Sequence, residues 1–143
     1  MKFKNIEEYK KNLKKRLTVE AMSSAKSLVA RSTNLVQNTA KTSITAGGTG
    51  ATVQKYDPRR THTQSAPLSP PASDTGFLVS QITMNVKTEQ NGTVIGQIIS
   101  AAPYSKALEF GTVNMQPRPF MQPALNKNKN KIVKMFVQEG LIE

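Results

Sequence analysis

Phe77-Leu-Val-Ser-Gln-Ile-Thr-Met-Asn-Val-Lys-Thr88 and Thr93-Val-Ile-Gly-Gln-Ile-Ile-Ser100, separated by a segment holding Asn91-Gly92, decide the fold class of this chain. The first stretch alternates, placing Leu78, Ser80, Ile82, Met84 and Val86 on one side of an extended backbone. The second is rich in β-branched residues, which fit a pleated, half-buried surface. Asn-Gly is a strong hairpin signal, because both residues accept the positive φ that a tight turn requires. Two antiparallel strands are therefore predicted over 77–88 and 93–100, with Pro103 stopping the second.

Upstream, residues 5 to about 42 read as one long helix, and 1–44 is assigned to it as a segment. Asn5 is the candidate N-cap, with Glu8 in capping-box position. Glu7 and Glu8 suit the positive end of the helix dipole. Ile6, Tyr9, Leu13, Leu17, Ala21, Ala25, Leu28, Ser32 and Leu35 recur at three- and four-residue steps, forming one amphipathic stripe. Lys10, Lys11, Lys14, Lys15 and Arg16 make the other face of the first half basic. The second half is rich in Ser, Thr and Asn, so packing rather than propensity must hold it.

Gly47-Gly-Thr-Gly50 ends the helix, and 45–75 reads as an extended loop containing Pro58, Pro67, Pro70 and Pro71. Loops of that length inside a small domain are usually functional or ordered by a partner. Lys55, Arg59, Arg60 and His62 make this one basic; Asp57 and Asp74 are its acidic exceptions. Downstream, Tyr104–Phe110 fits a short helical turn closed by Gly111. A last helix runs from about Phe120 to Glu139, with Pro123 in its first turn and Gly140 as its stop. Met121, Leu125, Ile132 and Phe136 mark its apolar side. The expected architecture is a single α+β domain over 1–143. A long N-terminal helix and a C-terminal helix pack on a small antiparallel sheet, with a long Pro-rich basic loop between.

Composition narrows the function. The chain has 143 residues, a formal net charge of +11 and only 37% hydrophobic residues. That apolar share is low for a self-contained globule, and implies surface that packs on a partner. There are no cysteines, which excludes disulfides, thiolate metal sites and cysteine nucleophiles. No apolar run is long enough to span a membrane. Lys2 and Lys4 precede no apolar segment of the signal-peptide kind. His62, the single histidine, has no acidic cluster beside it, and no carboxylate pair suggests a metal clamp. Gly47–Gly50 lacks the Lys-Ser/Thr of a phosphate loop. No catalysis, cofactor or metal is expected. Lys55, Arg59, Arg60 and His62 in the loop, and Lys127 and Lys129 on the last helix, are the candidate contacts for a partner or for DNA. Aromatics make up 6% of the chain and do not interleave with the basic groups, so any DNA contact should be sequence-independent and salt-sensitive.

Three stretches together resemble one family. They are His62-Thr-Gln-Ser-Ala-Pro-Leu-Ser-Pro-Pro-Ala-Ser-Asp-Thr-Gly-Phe-Leu78, Tyr104-Ser-Lys-Ala-Leu-Glu-Phe-Gly-Thr112 and Arg118-Pro-Phe-Met-Gln-Pro-Ala-Leu125. In this order and spacing they look like the HK97 gp10-like head–tail connector family of tailed bacteriophages, over residues 41 to 136. One departure is Leu68-Ser69, where many members carry a glycine and an acidic residue. The resemblance implies a small α+β fold and a non-enzymatic virion protein. It implies a closed homo-oligomeric ring in the neck, six- or twelve-fold, between head-completion and tail proteins. Assembly would take place in the host bacterial cytoplasm, with no membrane partner. A tail terminator capping the tail tube is the nearest alternative, and a non-specific DNA-binding protein a more distant one. Within the resembling segments, Tyr104, Glu109, Phe110, Gly111, Arg118, Pro119 and Phe120 form the expected structural joint. Glu109 and Arg118 are a candidate ion pair, and Phe110 and Phe120 candidate core anchors.

Overall fold

Forty residues free of glycine and proline form α1 (Ile6–Thr45) in the computed structural model, which describes residues 6–140. Asn5, the expected N-cap, and Lys2 and Lys4 lie outside the described residues. The remaining elements are β1 (Thr52–Tyr56), β2 (Arg59–Thr63), α2 (Phe77–Ser80), β3 (Ile82–Thr88), β4 (Val94–Ser100), α3 (Ser105–Phe110) and α4 (Met121–Gln138). The fold is α+β, with a long N-terminal helix, a C-terminal helix and two separate two-stranded antiparallel sheets, β1–β2 and β3–β4.

In β3–β4 the register runs from Ile82 opposite Ser100 to Thr88 opposite Val94. Gly92 closes the turn at φ 86°, and Thr93 N–H donates to the Asn91 side chain at 2.9 Å. Period two places Ile82, Met84 and Val86 on one face with Val94, Gly96, Ile98 and Ser100. α1 crosses that face, and Gln37 Nε2 donates to the Ile82 carbonyl at 3.0 Å. α4 lies antiparallel against α1. Buried Asn128 donates to Thr39 Oγ1 at 2.8 Å, and Arg31 pairs with Glu139 at 2.8 Å further along. α1 therefore stands between sheet and C-terminal helix. The core is a single cluster drawn from α1 (Val36, Ala40, Ile44), Leu78, Ile82, Ala102, Phe120 and Ala124.

Three expectations change. The 45–75 segment is not an extended loop throughout: it contains β1–β2, closed around a cis Asp57–Pro58 peptide and paired from Thr52 opposite Thr63 to Tyr56 opposite Arg59. The first expected strand begins at Ile82, because Gly76 at φ 78° starts the short α2 at Phe77. Leu78 and Ile82 are both buried, and their spacing suits a helical turn as well as an alternating strand. The helical stripe is only partly used: Leu28, Ser32, Thr33, Val36, Ala40 and Ile44 are buried, whereas Ile6, Leu13 and Leu17 are exposed.

Leu68 takes φ 64°, a left-handed conformation that leucine adopts at a cost, and its N–H donates to the Pro117 carbonyl at 2.9 Å. This is the site at which the resembled family departs from the chain. Leu68 is exposed, so Leu68→Gly loses little packing. Relief of about 1–2 kcal/mol of strain against roughly 0.5–1 kcal/mol of added unfolded-state entropy predicts a net gain near 0.5 kcal/mol. Thermal melting should rise by about 2 °C; a fall in Tm contradicts this account of the position.

Candidate functional site

Glu109, Phe110, Pro119 and Phe120 of the expected joint meet at the start of α4, where the carboxylate of Glu109 takes the backbone donors. Its Oε2 accepts the backbone N–H groups of Phe120 and Met121 at 2.9 and 3.0 Å, and its Oε1 accepts that of Gln122 at 2.8 Å. Phe120 stands at the N-cap and has no side-chain acceptor of its own, so α3 caps α4 from a distance. The expected Glu109–Arg118 ion pair is absent; the carboxylate turns to the backbone donors of α4 instead. Arg118 joins α3 through its main chain instead, donating to the Leu108 carbonyl at 2.7 Å.

Phe120 is 1% exposed and sits in the core, but Phe110 is 75% exposed. The chain reverses at Gly111, directly after Phe110, and leaves that ring at the surface. Gly111 takes φ 75°, and a Cβ there would meet the Met115 carbonyl at 2.8 Å and Pro117 N at 3.0 Å. Pro119 lies beside Phe120 on the wall of an open groove of about 840 Å³ between α1, β4, α3 and α4. The groove is largely apolar, with Val36, Ile98, Leu125, Ile132 and Phe136 among its lining. Ser32 Oγ and Ser100 Oγ in that lining are buried and make no hydrogen bond among the described residues.

Three of the four basic candidates on β1–β2, Lys55, Arg60 and His62, converge on one acid that stood out in the sequence only as an exception. Asp74 accepts Lys55 Nζ and pairs with Arg60 Nη2 at 2.9 Å, while His62 Nδ1 stands 3.8 Å away. Lys55, His62 and Asp74 line a recess of about 380 Å³ together with Tyr104 and Arg118, so part of the loop set and part of the joint set meet there. Tyr104 stacks obliquely on Phe77, centroids 6.2 Å apart. Arg60 Nε and Arg118 Nε are buried without a hydrogen-bond partner among the described residues. Arg59, Lys127 and Lys129 are exposed; the last two flank buried Asn128 on α4, away from the hairpin in sequence and element. Among the described residues no group of three or more His, Asp or Glu side chains is placed to hold a metal, and no helix is long and apolar enough to cross a membrane.

The hydrogen bond from Lys55 holds the Asp74 carboxyl below its usual range; partial desolvation pulls the other way, and the charges of Arg60, Lys55 and His62 add to the lowering. A depressed carboxylate contributes stability above its ordinary range and loses it as pH falls through the lowered value. Acidification below the ordinary aspartate range should therefore loosen β1–β2 from the 72–76 segment. Asp74→Asn should loosen it already at neutral pH and flatten the acid response. Amide exchange of residues 52–63 across pH is the readout, and equal exchange in variant and parent at neutral pH rules the anchoring role out.

Comparison with protein-family models, curated proteins and solved structures returned no match.

Proposed function

We propose that this chain is a structural ring subunit in the neck of a tailed bacteriophage, joining the head-side connector to the tail without catalysis. One observation carries the reading beyond the resemblance of the joint segments: among the described residues, an apolar ridge on an otherwise charged helical arm and an open apolar groove are uncovered at the same time. Contiguous apolar surface of that kind marks a site of association. Two different surfaces that complement one another build closed rings or filaments rather than two-fold dimers. The Glu109 cap and the Gly111 turn fix α3 against α4, the rigidity a subunit needs to meet its neighbours at a constant angle.

The DNA-binding alternative draws less support, since Lys55 and Arg60 are already engaged by Asp74. The two readings also differ in sign with salt. Subunits of charge +11 repel, so screening favours their association, whereas phosphate binding weakens steeply as salt rises. The direct test is particle assembly without this chain. Filled heads and separate tails are the expected products; normal infectious particles overturn the proposal. Tails made without heads that already contain the chain would move it to the tail-terminator role.

A further inference from the structure

We infer that the arm of one subunit lies in the apolar groove of the next copy, head to tail, and that this helix-in-groove contact closes the ring; the inference rests on the ring reading above. The arm is Ile6–Ala21. It begins where α1 passes the β3–β4 turn, for Met22 Cε lies 3.8 Å from where a Cβ on Gly92 would sit. Over these residues only Asn12 is even half-buried. Ile6, Leu13 and Leu17, two turns and then one turn apart, form one exposed ridge of the kind by which a helix anchors in a groove.

The arm cannot serve its own core. Leu13 lies about 35 Å from Val36 along the helix axis, past the end of the sheet at the β3–β4 turn. Nor can the arm fold back into its own groove. Val29 and Thr33 of the same uninterrupted helix wall that groove, and α1 has no proline or glycine at which to bend. The ridge and the groove are both available to another molecule.

Area favours a second copy within a closed ring. The arm is roughly 24 Å long, and covering half its circumference buries about 400 Å² on it, or about 800 Å² counting both partners. That falls short of the roughly 1,200 Å² at which specific pairs become stable. A lone arm-and-groove dimer is thus too weak to persist, whereas in a ring every subunit gives one arm and receives another. The groove offers what the ridge needs: Phe110 and Leu125 are exposed at it, with Met121, Ile132 and Phe136 beside them.

The natural absence of cysteine makes the test clean. Full-length Leu17→Cys and Leu125→Cys chains, mixed at high concentration in raised salt under oxidising conditions, should form a mixed disulfide. The double variant should give a ladder of multimers. Leu13→Glu with Leu17→Glu should weaken self-association on the order of 100-fold or more, with thermal melting of the monomer unchanged because both positions are exposed. Leu125→Glu should do the same from the groove side. Rings that persist in the arm variant, or disulfides formed only between two arms, overturn the inference and leave the ring reading standing. A parent chain that stays monomeric at every salt and concentration overturns both.

Discussion

Replacing Glu109 with alanine is expected to destabilise the fold by about 3 kcal/mol, a drop in Tm of roughly 10 °C. Three backbone donors at the start of α4 depend on that one carboxylate, at 2.8 to 3.0 Å. The next residue, Pro123, has no N–H, so the carboxylate takes every donor from Phe120 to Pro123. Hydrogen bonds to an ionised acceptor are worth more than neutral ones, and a negative group here also meets the positive end of the helix dipole. Phe120 is a buried core residue as well as the N-cap, so freeing this turn loosens the core beside it. Glu109→Gln keeps one acceptor oxygen and should fall between alanine and the parent. Arg118→Gln should change little by comparison, because its side chain makes no ion pair with Glu109. A Tm loss for Glu109→Ala of under about 2 °C would show that the cap does not hold α4.

Gly96→Val should cost about 2–3 kcal/mol by overpacking. A Cβ at Gly96 would lie 2.0 Å from Thr33 Oγ1, 2.9 Å from Val29 Cγ1 and 3.3 Å from Thr33 Cβ. The Thr33 hydroxyl is held by its 2.7 Å bond to the Val29 carbonyl, so it does not simply swing aside. α1 crosses β4 at this glycine because only a hydrogen fits between them. Chemical denaturation of Gly96→Ala, Thr33→Ala and the double variant separates this clash from a loss of strand propensity. Removing the hydroxyl should recover part of the alanine penalty, so the two effects should not add. Strict additivity would place the cost elsewhere.

Elements whose pattern is local were legible in the sequence. The Asn91-Gly92 turn, β4, the extent of α1 and the start of α4 near Pro123 all follow from short-range chemistry. The β1–β2 hairpin was not, because Thr52–Tyr56 and Arg59–Thr63 carry hardly any apolar alternation. What ties that hairpin down is Asp74, nineteen residues beyond Lys55. Its one visible signal was a lone acid after a basic stretch. Glu109 stood out beside Arg118, but its carboxylate meets backbone donors: a sequence displays the guanidinium of Arg118 and hides those N–H groups. Phe110 reads as core by composition, and only the reversal at Gly111 turns it outward. The stripe along α1 was visible from Ile6 onward, but a sequence does not say which molecule each part of it meets.

Imaging the assembled particle, with this chain located and counted, tests the central claim most directly. The account predicts a closed ring between head and tail, with a rod of helical density from each subunit lying across the α1, β4 and α4 surfaces of its neighbour. A chain found outside the neck, or present there as isolated monomers, would contradict the account.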